Sequence, residues 1–155
     1  MAFRVEEATI ASVHAAYKSG ELDCQTLTRA YLDRIAAYDQ IGPRLNAFVT
    51  LNPQALGDAA RLDAAFRRDG AFVGPLHGVP VAIKDQAEIA GLEASFGSVA
   101  LKGYVPEQDA AIVAKLRDAG AVILGKTTMP DFAASWWGFG SVHGETLCAY
   151  ALAGC

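Results

Sequence analysis

Residues 74–85 read Gly-Pro-Leu-His-Gly-Val-Pro-Val-Ala-Ile-Lys-Asp, a turn-forming stretch followed by an apolar run that ends at two charged residues. The apolar run at residues 79–83 predicts a buried strand, with a proline near its start, where strands tolerate one. Residues 109–119 then have the apolar spacing of a helix, and residues 121–124 form a second buried strand. A strand, a helix and a strand in this order predict an α/β fold with a largely parallel sheet covered by helices.

The part of the chain before residue 74 predicts three helices and one short strand. These are a helix from Ile10 that ends before Gly20, a helix over Cys24–Tyr38 with Asp23 as its N-cap, a strand over residues 46–51, and a helix that Pro53 opens and Gly70 closes. We therefore expect a single domain over residues 1–155, with a helical start at 1–45 and an α/β part at 46–155.

Bulk composition limits the class of protein. The chain has 155 residues, of which 52% are apolar and 19% charged, and this composition suits one folded domain with a core. A net charge of −4 offers no basic surface for direct nucleic-acid binding. No apolar run approaches the roughly 20 residues of a membrane span. Residues 1–7 carry charges where a signal peptide would be apolar, so we expect a cytoplasmic protein with no membrane partner.

The three cysteines, Cys24, Cys148 and Cys155, indicate reduced thiols, because the set is odd and sparse and no export signal precedes it. Cys148 and Cys155 are close enough in sequence to pair on oxidation. The sequence has no CxxC pair and no Cys/His cluster, which argues against a zinc site.

Lys84 is the unusual residue, because it follows five apolar residues at the end of an expected buried strand. Lysines are seldom buried without a reason. One interpretation is functional: a lysine withdrawn from water gives up its proton more readily and can act as a base. The other is a lysine that extends to solvent at a strand end or pairs with a carboxylate such as Asp85. The residues alone favour this second interpretation.

Residues 120–127, Gly-Ala-Val-Ile-Leu-Gly-Lys-Thr, match the P-loop pattern G-x-x-x-x-G-K-T. A P-loop needs its variable residues in a loop whose amides surround a phosphate. Here those residues are Ala-Val-Ile-Leu, which is typical of a strand, and the first glycine ends a helix instead of a strand. We therefore expect no nucleotide binding.

Two histidines and an aromatic cluster are weaker candidates for function. His77 and His143 lie in glycine-containing loops without a recognisable triad spacing, so a structural or solvated role is favoured. The cluster of Trp136, Trp137 and Phe139 could line a pocket or face a partner, but packing in the core is the expected outcome.

Several linked motifs resemble those of amidase-signature enzymes. Residues 74–85 are similar to the family segment that carries a catalytic lysine. Residues 109–117, 120–127 and 129–133 continue the family pattern in order and spacing, and the similarity covers nearly the whole chain. The resemblance also accounts for the false P-loop, since this strand and turn are a structural part of the family pattern.

The resemblance implies an α/β/α sandwich around a mixed, largely parallel sheet that is larger than this chain. It implies hydrolysis or transfer of a small amide by a Ser–cis-Ser–Lys triad, in which a serine forms an acyl-enzyme and backbone amides bind the oxyanion. It assigns the role of general base to Lys84 and a place in the wall of the substrate pocket to Ala133. It implies neither a metal nor an organic cofactor.

The end of the sequence departs from the family pattern. Cys148 and Ala149 stand where the family has an Asn-Pro step, and the Gly-Gly-Ser-Ser-Gly-Gly-Ser segment that follows in the family is missing. Thr127 and Ser141 do not occupy the motif positions of the two catalytic serines. We therefore expect a truncated chain that is inactive alone, because a triad without its nucleophile loses the covalent step.

Three alternatives remain open. The chain is a fragment, or one part of a split enzyme completed by another chain or by a homo-oligomer, or a binding module that has lost the chemistry. Within the family, these motifs are shared by general amidases and by the A subunits of glutamine-dependent tRNA amidotransferases. An incomplete parallel sheet leaves an open edge and uncovered apolar faces, which predicts marginal stability, aggregation or dependence on a partner.

Overall fold

The computed structural model describes residues 3–150, and the order of its elements is that of an α/β fold. The α-helices of this region are α1 (Ile10–Ser19), α2 (Cys24–Tyr38), α3 (Ala55–Asp69) and α4 (Ala111–Asp118), and short 3-10 helices span Val99–Leu101 and Asp131–Ala133. The strands are β1 (Phe48–Leu51), β2 (Pro80–Lys84), β3 (Val122–Thr127), β4 (Phe139–Gly140) and β5 (Gly144–Glu145). None of the helices within residues 3–150 has both the length and the apolar composition needed to cross a bilayer.

Local hydrogen bonds set the starts of the first two helices. α1 begins at a capping box, in which the Thr9 hydroxyl accepts from the Ser12 N–H at 3.1 Å and the Ser12 hydroxyl accepts from the Thr9 N–H at 3.0 Å. α2 begins after Asp23, whose carboxylate accepts from the Thr26 N–H at 2.7 Å. The predicted helix over Cys24–Tyr38 and its N-cap are therefore confirmed.

Three of the strands form a mixed sheet in the order β1-β3-β2. β3 is parallel to β2 and antiparallel to β1, so the α/β fold with a mixed sheet is confirmed. β4 and β5 form a separate antiparallel pair. β3 is the central strand, and each of its residues from Val122 to Lys126 is buried, as its apolar run predicts.

Strand β2 is less buried than the sequence predicts. Ile83 is its one buried residue, and Ala82 and Lys84 are exposed. The reason is its position: in the described part of the chain, β2 is an edge strand with β3 on one side only. Periodicity within a strand does not reveal how many neighbours that strand has, so the prediction of a fully buried strand at residues 79–83 is wrong for this region.

The sheet separates two apolar cores that meet at β3. Val122 and Leu124 face the larger core, together with residues of α1, α2 and α3. Ile123 points to the opposite side and packs with Ile83 of β2 and Val113 of α4. Alternate side chains of a strand point to opposite faces, so helices cover both faces of β3. This enclosure buries β3 from Val122 to Lys126, whereas residues 132–139 beyond it are exposed.

Candidate active site

Lys84 lies at the C-terminal end of β2, and its side chain is exposed. Its neighbour Ile83 points into a core, and the alternation of the strand turns Lys84 the other way. The backbone is held on both sides of the lysine: the Lys84 carbonyl accepts from the Ala87 N–H at 2.9 Å, and the Asp85 N–H donates to the Thr127 carbonyl at 3.0 Å. Lys84 is therefore exposed at the strand end, as the interpretation that the residues alone favour predicts, and its backbone is well fixed.

The buried lysine of this region is Lys126, on β3. Its side chain has no exposed area, and its Nζ lies 2.9 Å from Oδ1 of Asp85, whose side chain is 1% exposed. The parallel register pairs Ile83 with Lys126 and Lys84 with Thr127, so the ion pair lies directly beside the end of β2. This pair was not predicted from the sequence. The signal was present as a lysine inside an apolar strand and an aspartate next to Lys84.

The same geometry decides the P-loop question. Residues 122–127 form strand β3, and the lysine of the pattern is buried against a carboxylate, so it cannot reach a phosphate in a surface loop. The interpretation of this stretch as a strand is confirmed.

The second oxygen of Asp85 ties the loop at residues 95–97 to the strand end. Oδ2 accepts from the Ser95 hydroxyl at 2.6 Å and from the Gly97 N–H at 3.1 Å. Ser95 is 2% exposed, so this junction is closed to water on the side of the loop. A carboxylate accepts several hydrogen bonds at once, and Asp85 therefore joins β2, β3 and this loop.

The turn at residues 129–133 packs on the other side of that loop. The Phe132 N–H donates to the Phe96 carbonyl at 2.8 Å. Phe132 and Ala133 both have positive φ, 51° and 58°, in the left-handed region that residues with a Cβ avoid. Such strain persists only where surrounding contacts impose it, and it is enriched at functional sites. Ala133, the expected substrate-wall residue, is exposed at this strained turn.

Gly97 lets the loop and the turn approach each other. A Cβ at this position would collide with the carbonyl oxygen of Met129 and would lie 2.8 Å from that of Pro130. The structure thus connects Lys84 to the turn that carries Ala133 through two intermediates, the Asp85 carboxylate and the loop at residues 95–97.

Comparison with known proteins identifies the family. A family model described as Amidase matches residues 26–153. The chain belongs to the amidase family. This amidase-family chain is 42% identical over 125 residues to the A subunit of the glutamyl-tRNA(Gln) amidotransferase from Acidothermus cellulolyticus, across 81% of this chain and 24% of that protein.

Solved structures of amidases have the same fold. The peptide amidase from Stenotrophomonas maltophilia matches with a TM-score of 0.85 and 47% identity, over 92% of this chain and 30% of that one. An amidase family protein from Bacillus anthracis matches with a TM-score of 0.84 and 33% identity, over 92% of this chain and 29% of that one. The family that the motifs indicate is confirmed, and the amidase-family chain spans about a quarter of the length of the curated relatives it matches.

The hydroxyl of Ser141 in this amidase-family chain is already engaged. It donates to Oδ2 of Asp131 at 2.7 Å and accepts from the Val99 N–H at 3.0 Å. The Ser141 N–H also donates to Asp131, at 2.6 Å, and these hydrogen bonds from Ser141 hold the pKa of the Asp131 carboxyl below its ordinary value. Ser141 therefore braces the turn at residues 129–133, in a structural role.

Both histidines named as weaker candidates have structural surroundings. His77 is 1% exposed; its ring stacks on Phe72 with centroids 4.8 Å apart, and its Nδ1 accepts from the Val73 N–H at 3.2 Å. Burial lowers the pKa of His77, and the nearby His14 adds to this effect. Nε2 of His143 lies 2.7 Å from the Met129 carbonyl. A structural role for both, which the sequence favours, agrees with these contacts.

The aromatic cluster is on the surface, and the expectation of core packing is wrong. Trp136 is 103% exposed, Trp137 78% and Phe139 59%. The adjoining strands β4 and β5 have two residues each, and Phe139 belongs to β4 itself. The alternative interpretation, a pocket wall or a surface for a partner, remains a prediction.

Cys24 is a buried free thiol in the larger core. Burial together with the nearby Asp63 carboxylate raises its pKa, so the reactive thiolate is disfavoured. The sequence favours reduced thiols and leaves open a pairing of Cys148 with Cys155 on oxidation; Cys155 lies outside the described region. Among residues 3–150, no group of three or more His, Cys, Asp or Glu side chains is arranged to hold a metal ion.

Proposed function

We propose that Lys84 is the general base of an amidase that hydrolyses small carboxylic amides through a Ser–cis-Ser–Lys mechanism. The observation that supports this role most strongly is the placement of Lys84. Its amine is exposed at the end of β2, within the family segment at residues 74–85, and its backbone is fixed on both sides by hydrogen bonds. A base must reach its proton from a defined position, and this strand end provides one.

In the proposed reaction the neutral Lys84 amine accepts a proton relayed through a bridging serine. The nucleophilic serine attacks the amide carbonyl, the amine leaves with a proton, and water then hydrolyses the acyl-enzyme. Residues 1–155 include neither serine motif. We therefore propose that the serines come from outside these residues and that residues 1–155 by themselves do not hydrolyse amides.

The amide substrate would approach the turn at residues 129–133. Ala133 is exposed there, and its small side chain leaves room beside the strained backbone. Trp136 and Trp137 follow within a few residues and supply exposed apolar surface, which suits a substrate with an apolar group or a complementing polypeptide.

A second candidate is amide transfer instead of hydrolysis, because the chain is 42% identical to the A subunit of a glutamyl-tRNA(Gln) amidotransferase. That name describes one component of a larger assembly. On this alternative, the chain would act together with partner subunits. Water would still hydrolyse the acyl-enzyme, and the ammonia released from the amide would pass to an acceptor instead of entering solvent. A general amidase and a component of this kind would share the role of Lys84.

A serine-directed covalent probe tests where the nucleophile resides. We expect no labelling and no amide hydrolysis with residues 1–155 alone. We expect serine labelling and amide hydrolysis with a hybrid in which this chain replaces the aligned part of the Stenotrophomonas maltophilia peptide amidase, which is 47% identical to it. Labelling of residues 1–155 at one of their own serines would overturn the proposal that the nucleophile lies elsewhere.

A further inference from the structure

The buried ion pair begins at the residue directly after Lys84, at the point where β2, β3 and the loop at residues 95–97 meet. We propose that Asp85 and Lys126 are positioning residues for Lys84: together they fix the strand end that carries the amine, and their opposite charges cancel beside it. This inference rests on the proposed role of Lys84 as the base.

The fixing role follows from the hydrogen bonds of Asp85. Its N–H is bonded to the Thr127 carbonyl, one carboxylate oxygen is paired with Lys126, and the other accepts from Ser95 and Gly97. Asp85 is thus held at its backbone and at both oxygens, and Lys84 is joined to it by one peptide unit. Movement of Lys84 away from β3 would break this set of contacts.

The same carboxylate sets the distance between Lys84 and the expected substrate wall. The loop that it holds contacts the turn at residues 129–133 through the bond from the Phe132 N–H to the Phe96 carbonyl and through the close approach of Gly97 to Pro130. A base acts only within hydrogen-bond reach of its proton, so a device that fixes both sides of the site has a direct effect on turnover.

The charges of the pair also matter, because both groups are dry. Lys126 has no exposed side-chain area, and Asp85 is its one partner among residues 3–150. Burying two ions is costly, and apolar residues of similar volume often serve stability as well or better. A buried pair at this position is therefore better explained by specificity: while both charges are present, the pair adds no net charge to the strand end that carries Lys84.

This charge balance makes a prediction that a merely structural role does not. Removing the negative charge leaves the positive charge of Lys126 uncompensated, which disfavours the ammonium form of Lys84. Removing the positive charge of Lys126 leaves the negative charge of Asp85, which favours the ammonium form of Lys84. For a unit charge that acts through water over about 5–10 Å, the neutral fraction of an amine changes roughly two- to fourfold.

The test is competitive trace acetylation of the chain at pH 8, with mass spectrometry to compare Lys84 with the exposed Lys102. We expect Asp85→Asn to raise the relative labelling of Lys84 two- to fourfold, Lys126→Met to lower it by a similar factor, and the double variant to restore it. Changes in the same direction in both single variants, or no change in either, would overturn the proposal. No amide turnover is needed, so this result is independent of whether Lys84 proves to be the base.

Asp85→Glu provides the second measurement if a single charge deletion prevents folding. It keeps the charge but moves the carboxylate by one methylene group, so we expect faster hydrogen exchange of the Gly97 amide and altered labelling of Lys84. Unchanged exchange of the Gly97 amide together with unchanged labelling of Lys84 would contradict a positioning role. The proposed base is tested separately, by Lys84→Arg in an active hybrid.

Discussion

The ammonium of Lys126 lies 2.9 Å from the carboxylate of Asp85, and both groups are buried beside the exposed Lys84. Two lysines of the family pattern therefore have opposite environments. Lys84 is exposed and has a fixed backbone, whereas Lys126 has no exposed side-chain area and one counter-ion among the described residues. This division agrees with the proposed roles of Lys84 as the base and of Lys126 as a buried positioning residue.

Breaking the buried pair is expected to destabilise the fold strongly. Lys126→Met leaves the Asp85 carboxylate buried without a counter-charge, which costs about 3–5 kcal/mol of unfolding free energy. The double variant Asp85→Asn, Lys126→Met should recover much of this loss, because no net charge stays buried. Urea denaturation of the unmodified chain, the single variant and the double variant measures their free energies of unfolding. Lys115→Met, on the exposed face of α4, is the control. Equal losses for Lys126→Met and Lys115→Met would show that the pair is not buried in solution.

Gly97 should be far less tolerant of a side chain than Gly91. Both have positive φ, 74° and 77°, so alanine costs each about 1–2 kcal/mol in backbone strain. A Cβ at Gly91 meets nothing within 4 Å, whereas at Gly97 it would collide with the carbonyls of Met129 and Pro130, which adds about 1–3 kcal/mol. The difference in Tm between Gly97→Ala and Gly91→Ala measures the cost of the collision, because the backbone strain is similar at the two positions. Equal shifts in Tm would contradict the packing of this loop against the turn.

His77 should make stability depend on pH. Burial lowers its pKa below the ordinary value of 6.5, so the unfolded chain takes up this proton first as the pH falls. The stabilisation is fully present above pH 6.5 and is lost as the pH falls from 6.5 towards the pKa of the folded state. His77→Gln, which cannot titrate, should flatten that part of the profile of unfolding free energy against pH. An NMR titration that places the pKa of His77 at or above its ordinary value would refute this account.

The two tryptophans should report an exposed segment. Trp136 and Trp137 are the only tryptophans in the sequence, and both side chains are mostly in solvent. We expect red-shifted fluorescence, efficient quenching by acrylamide and little change in emission on unfolding. A blue-shifted emission that moves to the red on unfolding or on dilution would show that the segment is covered, by self-association or by another part of the polypeptide.

Local signals in the sequence were sufficient for the helices. The bounds of α2 follow from an apolar stripe and the Asp23 cap, which are both encoded within a few residues. The central strand β3 was likewise predictable, because its apolar run is continuous and flanked by a glycine. The family pattern then placed these elements in one fold without any knowledge of contacts.

What the sequence did not reveal depends on neighbours distant along the chain. The partial exposure of β2 follows from its edge position in the described part of the chain, and the burial of Lys126 follows from cores on both faces of β3. Trp136 and Trp137 were expected in the core on composition, but solvent exposure depends on what packs against a loop. None of these features can be read from a short window of residues, because each depends on what packs against it in the fold.

The most direct test of the account is amide hydrolysis by the hybrid with the Stenotrophomonas maltophilia peptide amidase, measured for Lys84→Met, Lys84→Arg and Lys102→Met. The substrate is an amide that the parent enzyme hydrolyses, and circular dichroism confirms that each hybrid is folded. Loss of a general base lowers kcat by about 10²- to 10⁴-fold, and arginine cannot replace it because it stays protonated. We predict this loss for both Lys84 variants and unchanged turnover for Lys102→Met. Turnover by a folded Lys84→Met hybrid at the rate of the unmodified hybrid would contradict the assignment of Lys84 as the base.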